Sequence, residues 1–519
     1  MSKWRLNEHT LFNDYNLDVI EQMDDISKKI ERKSASATKW SLLTEIVARL
    51  ATPIANMILA RLLMPEAFGL VATITMFLSF AEIFTDAGFQ KYIIQHEFDS
   101  DTDFQDSVQV AFWSNIILAA TITASIFVLK DRIAYVVGND RLGWPITIAS
   151  LTIVFNAISS VHIGVFRREF EFKKLFYVRF AVSFIPILVT VPTAYILRSF
   201  WALIIGNITK SIIQAIIIIP LSKVGVRLFY SIEIFKKMFS FSFWTLIESI
   251  SIWLTSNIDV FIIGRILDDH YLGLYKTAIT TITTYLGIIA AAITTVLFST
   301  LSRYQNDNEK FLETYFRFQR KLALILLPCG VGIFVFRDLV VKILLGPNWT
   351  EISLFLGLFA LMNVYGVEIC YFASEVFRSK GQPKISFIYQ CIFIVILSPT
   401  IYISAKKGFI NVCMARCGCF LAFIVIAMVF CKALYGIKIL DIIKNLTPQT
   451  ISATVMGGVG TLLLKISNSI FLQFVYIAVC VIVYFCVLLL FVSIRQEVLN
   501  TSVVMKIKKK WCSNHMREV

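Results

Sequence analysis

Charge is what this sequence lacks first. Asp, Glu, Lys and Arg make up 16% of 519 residues, where a soluble globular domain carries about a quarter. With 57% hydrophobic residues and a mean hydropathy of +0.73, no single aqueous core can bury the apolar surface, and lipid must solvate the rest. Cysteine is absent before Cys329, so a disulfide framework is excluded from the longer part of the chain. The later cysteines lie in apolar stretches, apart from Cys512 in the tail. Even the closely spaced Cys413, Cys417 and Cys419 have no neighbouring His or carboxylate, so reduced thiols are expected and no metal site. Gly 22 and Pro 11 are too few for a collagen-like or low-complexity chain. No apolar core follows an early basic region, so no cleavable signal peptide is expected. Gly138 and Gly143 have the spacing of a phosphate-binding loop, but Trp144 follows where Lys and Ser or Thr are needed, so no ATP hydrolysis is expected.

What the chain has instead is long apolar runs. A helix crosses about 30 Å of hydrocarbon with about 20 residues. On that rule, spans are predicted near 39–62, 66–85, 108–129, 144–166, 175–197, 200–221, 241–264, 271–300, 322–342, 352–376, 385–404, 409–431, 449–466 and 470–494. The runs are too long, and alternate too little, for barrel strands. The expected fold is an all-α integral membrane protein of about fourteen transmembrane helices.

The net charge of +14 sits mainly in short loops and tails, a pattern of topology signals and lipid-headgroup contacts rather than of nucleic-acid binding. With the N-terminus inside, 33 Lys and Arg fall inside, 11 outside and five within spans. That bias predicts an even number of spans with both termini cytoplasmic. The acidic inside loop 86–107 is a local exception. The longest outside loop, near 130–143, leaves no room for an extracytoplasmic domain.

The chain also repeats itself. Arg61-Leu62-Leu63 with Gly69-Leu70 returns as Arg265-Ile266-Leu267 with Gly273-Leu274, at an offset of 204. Val165-Phe166-Arg167 with Lys173 returns as Val376-Phe377-Arg378 with Lys384, at an offset of 211. The matches fall at corresponding points of the topology. The implied division is a cytoplasmic tail (1–38), an N-lobe (39–221), a cytoplasmic linker (222–240), a C-lobe (241–435), two extra spans (436–494) and a basic tail (495–519). Six spans is an even number, so the two six-helix lobes are parallel. Parallel repeats are a transporter plan, with the substrate path between the halves.

Charges inside spans are costly and mark candidate sites. Arg49 lies in the first span, four residues after Glu45 and four before Pro53. Proline interrupts a helix, so Pro53 is a candidate hinge, and Arg49 beside it a candidate partner for an anionic headgroup. The bland reading is a local Glu45–Arg49 pair. Lys276 opens a Thr/Ala-rich face that either lines a wet cavity or packs tightly. Arg179, Lys210 and Arg416 are further candidate substrate contacts; Arg416 has Glu368 and Glu375 as expected partners. Asp259, Glu45 and Glu368 are candidate coupling-ion carboxylates, although a structural hydrogen bond suits Asp259 as well. His162 reads as core.

The segment Ala60-Arg-Leu-Leu-Met-Pro-Glu-Ala-Phe-Gly-Leu-Val-Ala72, then Phe84-Thr-Asp-Ala-Gly-Phe89, resembles bacterial polysaccharide-biosynthesis flippases. So does Asp259-Val-Phe-Ile-Ile-Gly-Arg-Ile-Leu267 with Gly273-Leu-Tyr275. These belong to the multidrug/oligosaccharidyl-lipid/polysaccharide exporter superfamily, and the lipopolysaccharide and colanic-acid exporter type is the branch most resembled. The resemblance implies transfer of an undecaprenyl-diphosphate-linked oligosaccharide to the outer leaflet of the bacterial cytoplasmic membrane, by two rocking lobes. It also implies cationic cavity residues in the first and eighth spans, where Arg49 and Lys276 lie. It implies no cofactor beyond a coupling proton or sodium ion, and membrane lipids and polysaccharide polymerase machinery as partners. Rival readings are a multidrug and toxin extrusion transporter, a peptidoglycan-precursor flippase and, from another class, a membrane polymerase or glycosyltransferase.

Overall fold

In hydrocarbon every backbone N–H and C=O must be satisfied within the segment, which leaves helices as the solution for long apolar runs. The computed structural model describes residues 51–491 apart from 87, 223 and 381, together with Arg495. Arg49, Glu45, the N-terminal tail and nearly all of the C-terminal tail lie outside the described residues.

The first half contains helix α1 (51–62), α2 (Pro65–Asp86), the short α3 (Phe89–Gln95) and α4 (Asp101–Val137). Then come α5 (Gly143–Ala149), α6 (Leu151–Arg168), α7 (Phe172–Ser183), α8 (Val191–Leu197) and α9 (Trp201–Leu221). The second half opens with α10 (Ile232–Ile266), α11 (Asp269–Arg303), α12 (Asn308–Val335) and α13 (Arg337–Leu344). It continues with α14 (Ser353–Gly366), α15 (Phe372–Ser379), α16 (Pro383–Ala405) and α17 (Phe409–Tyr435). Helices α18 (Ile439–Leu464) and α19 (Ile470–Leu488) follow. No strand occurs among the described residues.

Eleven of these helical segments are long and apolar enough to cross a membrane. The three further helices at expected spans, α1, α11 and α18, are not among the eleven, so eleven of the expected fourteen spans meet this measure among the described residues. Two expected boundaries move. Helix α10 begins at Ile232, inside the expected linker 222–240, because the Ser231 hydroxyl accepts from the Ile234 N–H and caps it. Helix α4 starts at Asp101 because Ser100 caps it in the same way. In both, polar first turns hide a helix that hydropathy alone starts later.

Helix α18 packs along α12, where Gly457 and Gly460 let Val331 and Val335 approach. Helix α19 lies outside it, tied down by the Tyr484 hydroxyl donating to the Leu324 carbonyl at 3.1 Å. The largest apolar cluster fills the second half and takes in Ala60 and Met76 of the first, which smaller clusters otherwise fill. The two halves meet most extensively where α2 lies against α11.

Candidate functional site

The seam between the halves is built twice over. A methyl on Gly69 would overlap the Asp269 carbonyl, and one on Gly273 would overlap the Pro65 carbonyl. The two glycines are repeat partners, and so are Pro65 and Asp269, so one contact is made in both directions. Glycine is required because only a missing Cβ lets the α2 and α11 backbones touch. The arginines obey the same reciprocity. Arg61 donates to the Ile343 carbonyl at 2.6 Å and lies on Gly346. Arg265 donates to the Tyr135 carbonyl and lies on Gly138. Both of those glycines are in the left-handed region, at φ 90° and 100°, which closes a helix end that an L side chain would strain. Gly138 is therefore a helix cap and docking point, not part of a phosphate loop.

Further ties join the same ends. The Asn139 amide donates to Asp269 at 2.7 Å, and the buried Trp349 indole donates to the Ala60 carbonyl at 2.7 Å. His270 bridges Glu66 at 2.8 Å and Glu351 at 3.1 Å. All of these residues lie at the face that the Lys and Arg count assigns to the outside, so the structure is closed there.

The His270 bridge gives this closure a pH dependence. Partial burial of the ring opposes its charge, but hydrogen bonds to Glu351 and Glu66 and their negative charges outweigh it, and its pKa is raised above the ordinary imidazole value. A group raised in the closed form stabilises that form fully below its free value of about 6.5, and the stabilisation is lost as pH rises through the raised value. The pairs are partly exposed, so each contributes about 0.2–1 kcal/mol. Amide exchange at 262–272 and 343–352, corrected for intrinsic rates, is therefore expected to be faster at high than at mildly acidic pH, by a few-fold. His270→Gln should abolish that difference; an unchanged pH dependence in this variant would refute the bridge.

Toward the middle of the second half, α10, α11 and α17 bring two expected residues, Asp259 and Arg416, together with Tyr275. Asp259 is buried; its Oδ2 accepts from the Tyr275 hydroxyl at 2.7 Å and lies 3.7 Å from Arg416 Nε. The Asp259 Oδ1 accepts from the Val260 N–H at 2.8 Å. Arg416 is buried as well, with its guanidinium 5.6 Å from the Phe393 ring centre, and its Nε and Nη1 make no hydrogen bond. The expected partners of Arg416 were Glu368 and Glu375. Glu375 is instead paired with Arg378 at 3.2 Å, and Glu368 is buried with neither carboxylate oxygen hydrogen-bonded. Lys276 stands one residue from Tyr275, half-buried, without an ion pair among the described residues.

The first half holds a cavity of about 450 Å³ between α2, α6 and α9. Lys210 lines it together with Glu82, whose carboxylate accepts from the Asn156 amide at 2.7 Å. Glu82 was only one of several in-span acids in the sequence; its place opposite α9 had no linear signal. Arg179 lies away from these sites on α7, half-buried. Pro53 is buried, and with Thr280, Thr281 and Thr284 it lines a crevice of about 20 Å³, room for about one water. The Thr-rich face thus packs tightly here. His162 is core, beside Phe112. Among the described residues no group of His, Cys, Asp and Glu is arranged to hold a metal.

This fold and its paired halves define a multi-pass helical membrane protein of transporter type. The chain matches the family model described as polysaccharide biosynthesis protein over residues 58–354, and it belongs to that family. It is 23% identical over 388 residues to the lipopolysaccharide biosynthesis protein WzxC of Escherichia coli (strain K12), covering 73% of this chain and 76% of that protein. It is 23% identical over 381 residues to an uncharacterized membrane protein in the cps region of Klebsiella pneumoniae, covering 72% of this chain and 77% of that one. In structure it is similar to the lipid II flippase MurJ in an inward closed conformation, with TM-score 0.70, 15% identity, and coverage of 86% of this chain and 98% of that one.

Proposed function

We propose that this protein moves undecaprenyl-diphosphate-linked oligosaccharide repeat units across the bacterial cytoplasmic membrane by alternating access. It would supply polysaccharide polymerase machinery on the outer side, with both termini in the cytoplasm and fourteen spans. It is a transporter and not an enzyme. The observation that carries the reading is a pair of in-span lysines, Lys210 in one half and Lys276 in the other, neither held in a salt bridge among the described residues. A cation left unpaired at membrane depth is costly and is retained for function, and an anionic lipid diphosphate is the partner that uses it. Family membership and the likeness to WzxC and MurJ support the same reading. Arg49, in the first span, is a further proposed contact.

For coupling, Glu368 is the better placed of the acidic candidates. It is buried within the wide π-turn Val367–Tyr371 and has no hydrogen bond to its carboxylate, whereas Asp259 already has Arg416 beside it. π-Turns recur at functional sites.

In cells lacking the gene, undecaprenyl-linked repeat units should accumulate on the cytoplasmic face. A Lys276→Met copy should insert normally yet restore export about tenfold less well than the wild type, as expected for a lost charge-assisted contact. In the same assay Glu368→Gln should remove the dependence on a proton gradient. Full surface polysaccharide in the deletion, or altered drug resistance in its place, would sink the flippase reading.

A further inference from the structure

Helices α18 and α19 meet the α12–α13 corner around a second cavity, of about 270 Å³. It lies at the face that the Lys and Arg count assigns to the outside, where α12 and α18 end and α19 begins. Asp338 and Lys342, at i and i+4 on α13, both line it. In that order on a helix the two side chains gain from pairing with each other. Here they make neither that ion pair nor any other, and no side-chain hydrogen bond, among the described residues. The other polar lining residues are Asn468 and Gln473, which bracket the α18–α19 turn. The Gln473 amide nitrogen donates to the Asn468 carbonyl at 3.1 Å, which leaves the Gln473 Oε1 as an acceptor. Val335, Leu464 and Ile470 add apolar wall. Ile470 and its neighbour Phe471, 76% exposed, carry that apolar surface on to the outside of the bundle.

We propose that this cavity binds the headgroup of one phosphatidylethanolamine of the outer leaflet, with its phosphate on Lys342 and its ammonium on Asp338 and the Gln473 Oε1. The charges select a headgroup of net charge zero. One ammonium and one carboxylate, a helical turn apart, match a phosphate and an ammonium joined by a two-carbon link. A purely anionic headgroup leaves Asp338 unpaired beside its phosphate. A choline headgroup has a methylated ammonium with no N–H to give to either acceptor. The cavity is just below the range of small-molecule sites, about 300–1,000 Å³, so it suits a headgroup whose acyl chains run outside along Ile470 and Phe471. A soluble zwitterion would use the charges but not that apolar edge. Lys342 is followed by Ile343, whose carbonyl receives Arg61, so the headgroup is held on the helix that closes the outer seam.

The test uses the full-length protein in nanodiscs holding phosphatidylethanolamine, phosphatidylglycerol and phosphatidylcholine in equal amounts with matched acyl chains. Native mass spectrometry reads which lipid stays bound. The wild type should retain phosphatidylethanolamine about tenfold over either other lipid, the size of one charge-assisted contact. Asp338→Asn should abolish the preference over phosphatidylcholine, and Lys342→Met should weaken phosphatidylethanolamine by about tenfold. Asp338→Glu and Lys342→Arg should keep most of the retention, which separates charge from misfolding. Glycerophosphoethanolamine, the same headgroup without acyl chains, should compete only at about tenfold higher concentration or more. Equal retention of the three lipids by the wild type, or an unchanged preference in Asp338→Asn, would overturn the site. Competition by the chain-free headgroup at the concentration of the lipid itself would overturn the lipid as its occupant.

Discussion

Gly273→Ala is expected to disable the closed arrangement and with it transport. The added methyl has nowhere to go: it meets the Pro65 carbonyl, which is backbone and cannot rotate away as a side chain does. Overpacking of this kind costs about 1–3 kcal/mol where neighbours can shift, and more where they cannot. The ties nearby are registered to the same helix spacing. Pushing α11 from α2 lengthens the Asn139–Asp269 bond, the Trp349–Ala60 bond and the His270 bridge together. Gly69→Ala should do the same through the Asp269 carbonyl, because the contact is reciprocal. The helices themselves need not unfold, since their hydrogen bonds are internal. The expected result is a folded, inserted protein whose outer end stays open and whose transport falls about tenfold or more, as a shift of a few kcal/mol in a two-state equilibrium requires. Labelling of a single cysteine at position 348 from the outside, in a cysteine-free background, reads the opening. Normal transport with unchanged labelling in both variants would show that the close approach is dispensable.

That seam was legible in the sequence as a repeat, because a contact made in both directions imposes the same residues twice. Arg61 and Arg265, and Gly69 and Gly273, were visible as a pattern before their partners were known. The partners were not visible. Ile343 and Tyr135 contribute carbonyls, which any residue supplies, and Glu351 reaches His270 across 81 positions of chain. The positions of most spans followed from hydropathy. The start of α10 did not, because Lys236 and Lys237 break the apolar run while the Ser231 cap carries the helix. In the sites, Lys210 is legible as an in-span cation, whereas Asn207 and Gln214, beside it at helical spacing, are neutral and give no such signal. Arg416 has the in-span acids nearest to it in sequence, Glu375 and Glu368, as its expected partners, but α17 packs so that its neighbour is Asp259 on α10, 157 positions away. Sequence proximity says little about pairing when the partners come from different helices of a bundle.

The Asp259–Arg416 pair carries the largest expected loss of stability. Removing one member of a buried pair strands the other charge, at a cost of about 3–5 kcal/mol. Asp259→Leu should be the worse single change. It leaves the Arg416 guanidinium buried with Nε and Nη1 already lacking hydrogen bonds, and it strips the Tyr275 hydroxyl of its acceptor. Arg416→Leu should cost less, because Asp259 keeps the Tyr275 hydroxyl and the Val260 N–H. The double variant Asp259→Leu/Arg416→Leu should recover much of the loss, since two apolar residues replace a buried pair at little cost. Thermal unfolding in detergent, followed by tryptophan fluorescence, gives the comparison. Additive losses in the double variant would mean that the two residues do not interact. The same protein separates a structural pair from a coupling site. If Asp259 only anchors α10 to α17, the double variant regains transport along with stability. If Asp259 releases Arg416 to take a proton or cation during the cycle, stability returns and gradient-driven transport does not. Glu368, untouched in that variant, then could not be the sole coupling carboxylate.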